Sequence, residues 1–116
     1  MLKENVIDSK AKKFSIRIIR MYQYLSGEKK EFVLSKQVLR SGTSIGANVR
    51  EGIRAQSKAD FRSKMNIALK EASETEYWLE LLHETDYMED EQFESIRNDV
   101  VELIKLLTSI VKSSEK

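Results

Sequence analysis

The chain has no cysteine, no proline, a single histidine, a single tryptophan and only four glycines in 116 residues. Without cysteine there are no disulfides, thiolate metal sites, iron–sulfur clusters or thiol nucleophiles, and His83 alone leaves little for metal binding or acid–base catalysis. Without proline, and with glycine so sparse, almost nothing interrupts a helix. Long apolar runs are missing as well. The longest are pairs such as Ile18-Ile19, Leu81-Leu82 and Leu106-Leu107, far short of the ~20 residues a membrane helix requires. Met1 to Ala11 mixes Lys3, Glu4, Asp8 and Lys10 with few apolar groups, unlike a signal peptide, so the expected location is the cytoplasm, with no membrane partner.

Apolar residues make up 41% and charged residues 34% of the chain, enough for one core and a heavily charged surface. The net charge of +1 conceals a polarity. Residues 1 to 57 hold 12 Lys/Arg against 5 Asp/Glu, and residues 58 to 116 hold 8 against 14. Such a split suits either a basic surface for an anionic partner or two halves that attract each other within or between subunits.

Apolar positions recur in alternating steps of four and three, which predicts an all-α fold of four helices at about 5–25, 33–55, 58–84 and 89–112. The first seam is Ile7, Ala11, Phe14, Ile18, Met21 and Leu25, with Gly27 expected to stop the helix in a left-handed conformation. The second is Leu34, Val38, Ser41, Ile45, Asn48 and Gly52, lined by small and polar groups. Ser57 reads as the N-cap of the third, whose seam is Phe61, Met65, Ala68, Ala72, Thr75, Leu79 and Leu82. The fourth runs Phe93, Ile96, Val100, Leu103, Leu107 and Ile110. Sustained four-three spacing and short connections specify an antiparallel up-down-up-down bundle in one domain spanning 1–116.

The second helix gives up both side-chain burial and helix propensity. Gly42 and Gly46, four apart on one face, each cost about 1 kcal/mol relative to Ala, which points to close packing of a neighbouring helix, with Asn48 on the same seam. A phosphate loop is excluded by pattern, because the run lacks the Gly-Lys-Ser/Thr ending and follows no strand. Opposite the seam lie Lys36, Arg40, Arg50 and Arg54, and the first helix carries a comparable row of Lys10, Lys13, Arg17 and Arg20. Together they read either as a nucleic-acid backbone site, where cations neutralise phosphates without reading sequence, or as a solvated face with ion pairs to Glu51, Glu28 or Glu31.

On the third helix Ile67, Trp78 and Leu81 share a flank with Glu71 and Glu74, and Trp78 reads as a subunit-interface residue. Ile16, Ile19, Val101, Ile104 and Leu106 are further apolar positions that point the same way. Glu71-x-x-Glu74 and Glu80-x-x-His83 resemble fragments of di-iron sites, but such sites need two histidines, so neither a metal nor a cofactor is expected. Glu71 and Glu74 fit better as partners of an arginine such as Arg40. No elbow exposes a serine to His83, and no catalytic residue is assigned.

The stretch from Ser35 to Gly52, SKQVLRSGTSIGANVREG, together with Asp60-Phe61, the run Lys64 to Ala72 and the run Glu74 to Leu79, resembles a known family. The chain looks like the bacterial four-helix bundle proteins named for the intervening sequences of 23S ribosomal RNA genes, relatives of the accessory protein of diversity-generating retroelements. The resemblance covers about residues 14 to 110. It implies a four-helix protomer, a ring-like homopentamer and no known catalytic activity; for the retroelement relatives it implies a basic surface that binds nucleic acid and a reverse transcriptase. Arg40, Asn48, Glu71, Glu74 and Trp78 fall in the matching motifs, while Val38, Val49 and Arg50 stand where Leu, Ile and Ala are more usual. The combined expectation is a non-enzymatic homo-oligomer that binds RNA or DNA through its first two helices, or else a protein-interaction scaffold or accessory subunit that does not.

Overall fold

Each periodic segment is a helix in the structure, a computed structural model that describes residues 2–115. The helices are α1 (Leu2–Gly27), α2 (Leu34–Ile53), α3 (Lys58–Glu84) and α4 (Asp90–Ser113), and the described residues include no strand. α1 starts earlier, and α2 is shorter at both ends, than the periodicity suggested. Consecutive helices pack antiparallel, and α4 returns beside α1, which sets α1 diagonal to α3 and α2 diagonal to α4. The bundle measures 45 × 20 × 18 Å.

The seams meet along the axis. Ile7, Ile18, Leu25, Ile45, Met65, Leu79, Leu82, Leu103 and Leu107 are among the fully buried side chains, while Met21, Leu34, Phe61 and Phe93 pack on this core from its edges. On α2 the innermost position is Val49 rather than Asn48. Asn48 lies half-buried at the seam's margin, where its Nδ2 donates to the Ser44 carbonyl at 2.9 Å, a bond within its own helix.

The ends of the helices show how local chemistry sets their limits. Ser57 caps α3, its Oγ accepting from the Asp60 amide at 3.0 Å, as the sequence suggested. α4 begins with a reciprocal capping box between Glu89 and Gln92. α2 has a less familiar start. The carboxylate of Glu31 accepts from the amides of Val33 at 3.1 Å, Leu34 at 3.0 Å and Ser35 at 2.6 Å. Burial pushes its pKa up, but the amide donors outweigh that and hold it below the usual glutamate value. Gly27 does end α1, yet no glycine is left-handed; that conformation falls to Lys30 (φ 56°) and, between α3 and α4, to Asp86 (φ 68°). The left-handed residue falls later because α1 unwinds over several residues, with the Glu28 and Lys29 amides still bonding the Tyr24 carbonyl, before the chain reverses.

Candidate nucleic-acid interface and helix-packing sites

Small residues on α2 let two neighbours come close. A Cβ placed on Gly42 would lie 2.9 Å from both Cγ1 and Cγ2 of Ile18, so α1 packs directly on that backbone. At Gly46 the nearest atoms are Ser15 Oγ at 3.3 Å and the Ala11 carbonyl oxygen at 3.5 Å. Gly52 faces the other way, toward Lys64 and Met65 of α3. Ser41 is buried with its Oγ 2.9 Å from Thr75 Oγ1, which also bonds the Glu71 carbonyl at 2.8 Å.

Beside this contact a polar cluster joins α2 to α3. The Arg40 guanidinium bonds Glu74 and lies 3.7 Å from Glu71, the pairing anticipated from the sequence. Trp78 Nε1 donates to the same Glu74 oxygen at 2.9 Å. Glu71 Oε1 is buried with no hydrogen bond, so its compensation is the longer-range attraction of Arg40. Trp78 itself is half-buried, packs on the hydrophobic core and meets Tyr77 edge-on. The protomer therefore accounts for much of a side chain that the sequence seemed to leave without a role inside it. Ile104 and Leu106 likewise pack on the core, and Leu81 and Val101 are half-buried, whereas Ile16, Ile19 and Ile67 stay exposed.

The eight cations divide into two groups with different neighbours. On α1, Lys10 pairs with Glu102 at 3.1 Å, and Arg17 pairs with Asp99 at 2.8 Å and bonds Ser95. Both partners are on α4. Lys13 and Arg20 are exposed on the same side, with no partner among the described residues. α1 turns toward α2 with its other flank, which carries Asp8 and Ser15, about half a helical turn away. The row on α1 and the row on α2 are therefore separate surfaces rather than one eight-cation patch.

On α2, Arg50 makes a two-pronged pair with Asp8, 3.1 Å from Nε and 3.0 Å from Nη2, which holds its proton more firmly still. Lys36 and Arg54 are exposed, with no partner among the described residues. At the α2–α3 turn Arg50, Arg54 and Lys64 border an open hollow of about 560 Å³, together with Glu51 and Asp60. Glu51 pairs with Lys64 at 3.2 Å and Glu31 is committed to its cap, so neither neutralises the row as the solvated-face reading supposed. The helix N-termini of α2, α3 and α4 are all occupied by the chain's own oxygens, which leaves phosphate recognition to side chains.

His83 lies beside Asp90, 2.7 Å from Nε2, and stacks on Phe93 with ring centroids 4.2 Å apart, a fastening between α3 and α4. Among the described residues no group of three or more His, Asp or Glu is placed to hold a metal ion, and no helix is long and apolar enough to cross a membrane.

No curated protein matches the chain. A crystal structure of a protein of unknown function from the S23 ribosomal protein family of Bacteroides thetaiotaomicron VPI-5482 is 62% identical and superposes with a TM-score of 0.93, covering 95% of this chain and 98% of that one. Residues 3–109 match the family described as 23S rRNA-intervening sequence protein. Because that match spans all four helices, the chain belongs to the 23S rRNA-intervening sequence protein family.

Proposed function

We propose that the protein is a non-enzymatic, cytoplasmic, homo-oligomeric bundle that binds the backbone of RNA or DNA through the outer face of α2. One observation carries this reading: Lys36, Arg40 and Arg50 on α2 and Arg54 at its C-cap lie along one line, opposite the buried seam, and the two end cations have no partner among the described residues. From Lys36 to Arg54 the line runs about 27 Å at 1.5 Å per residue, roughly eight steps along a duplex strand. Lys and Arg so placed contact successive phosphates and carry no base specificity. Repetition of the line in an oligomer multiplies weak contacts through effective concentration.

Fluorescence anisotropy with a mixed-sequence RNA and a mixed-sequence DNA duplex tests it. The expected result is affinity that falls steeply with salt, and a loss of at least about tenfold in Lys36→Glu/Arg54→Glu, with a salt dependence shallower by about two ions. Unchanged binding by that double variant rejects the assignment. A second reading, a scaffold or accessory subunit without nucleic-acid binding, is favoured by a specific feature: Lys10, Arg17, Arg40 and Arg50 already have carboxylate partners. It predicts no binding to either nucleic acid at physiological salt.

A further inference from the structure

Arg20 and Tyr24 carry the α1 row to the end of the bundle where α3 turns into α4, and the proposed α2 site uses neither. Two adjoining hollows open there. The inner one, about 260 Å³, is bordered by Arg20 and Met21, the outer one, about 380 Å³, by Lys29 and Asp86, and Tyr24, Tyr87 and Met88 border both. Tyr24 is 42% exposed, whereas Tyr87 is half-buried against the core and its amide donates to the Leu82 carbonyl at 2.9 Å. Two aromatic rings and the thioethers of two methionines form a wall suited to a flat, polarizable ring.

Charge decides what that ring carries. Arg17 lies in the inner wall but is already held by Asp99 and Ser95. On the turn, Asp90 is taken by His83 and Glu89 by the α4 capping box. The charges left without an ionic partner among the described residues are Arg20 and Lys29 on the α1 side and Asp86 on the turn, and Lys29 Nζ sits 5.9 Å from the centre of the Tyr24 ring. Aromatic walls with two cations on one flank match a nucleobase that brings its phosphate with it. The single carboxylate opposite keeps that phosphate on the α1 side and accepts from the N–H edge of the base.

We infer that this corner receives one unstacked nucleotide of a single-stranded RNA or DNA, its base against Tyr24 and Tyr87 and its phosphate on Arg20. Bases inside a duplex are stacked and paired and cannot enter, so the pocket tells a single strand from a duplex, which the cations of α2 do not. α1 ends and α2 begins at this end of the bundle, so a strand that follows the α2 line to Lys36 arrives where the hollows open. The inference rests on the nucleic-acid part of the proposed function and adds to it a preference for unpaired bases.

Fluorescence anisotropy on the full chain tests the pocket by comparing a mixed-sequence single strand with a mixed-sequence duplex, and circular dichroism checks that each variant is folded. Tyr24→Ala is expected to weaken single-strand binding at least about fivefold while duplex binding stays within about twofold, and Tyr24→Phe, which keeps the stacking face, retains the wild-type affinity. Arg20→Gln lowers single-strand affinity too and makes its salt dependence shallower by about one ion. A single strand carrying thiouridine is expected to crosslink under ultraviolet light to Tyr24 or Tyr87, read by mass spectrometry. Single-strand binding untouched by Tyr24→Ala, an equal loss on the duplex, or crosslinks that all fall elsewhere overturns the pocket while leaving the α2 reading intact. A wild-type chain that binds neither nucleic acid overturns both.

Discussion

α1 approaches its two neighbours differently. Toward α2 the approach is close, because Gly42 and Gly46 remove the side chains that would hold the backbones apart. Toward α4 the helices are bridged at the margin by long reaching groups, Lys10 to Glu102 and Arg17 to Asp99 and Ser95. The difference teaches where each seam's specificity resides. In the first it is chiefly steric, with the Arg50–Asp8 pair added at its margin; in the second the marginal bridges are electrostatic, half exposed and sensitive to salt.

The comparison breaks most visibly at Gly42. Gly42→Ala brings a methyl group to within 2.9 Å of two carbons of Ile18 rooted close to its own backbone. Overpacking of this kind costs about 1–3 kcal/mol, against a gain in helix propensity of about 1 kcal/mol. A net loss of up to about 2 kcal/mol in urea denaturation is expected. Gly46→Ala, facing the rotatable Ser15 hydroxyl at 3.3 Å, is expected to change stability by less than about 0.5 kcal/mol, and equal effects at the two glycines would contradict the steric account.

A smaller effect belongs to the turn that joins these two helices. Glu31→Gln removes a charge from the α2 N-terminus, with an expected cost of about 1 kcal/mol at pH 7. Because the folded-state pKa of Glu31 is lowered, its ionised form stabilises the fold above the unfolded value of 4.5. That contribution fades as pH falls through 4.5 toward the lower folded value. Denaturation curves of wild type and variant should therefore converge in acid. A gap that persists at pH 2 would mean that Glu31 acts through packing and not through its charge.

The α1–α4 bridge should give the smallest response. Arg17→Ala, which loses a half-exposed pair with Asp99, is expected to cost no more than about 1 kcal/mol and still less in molar salt. A loss as large as that at Gly42 would place the two seams on the same physical footing.

Four helices and nearly all of their inward positions were legible because a packed helix repeats its buried face every three or four residues. The Ser57 cap and the attraction of Glu71 and Glu74 for Arg40 were also legible, the first from local pattern and the second from complementary charge on neighbouring helices. The Glu31 cap was missed, although a glutamate four residues before Ser35, in a turn with no other N-cap residue, is a signal of it. The exposure of Ile16 and Ile19 was foreshadowed, while the placement of Trp78 on the core was not, since a flank position can belong to a core or to a surface.

Residue order alone therefore settled the secondary structure, the seams and the places where small side chains permit close approach, because these depend on spacing within a helix. The tertiary fold decided which cations are free. Asp99 and Glu102 lie more than 80 residues beyond Arg17 and Lys10, and they neutralise them only because α4 returns beside α1. The same return separates the two basic rows and sets α1 and α3 on opposite corners, since a helix directs each of its flanks to a different neighbour.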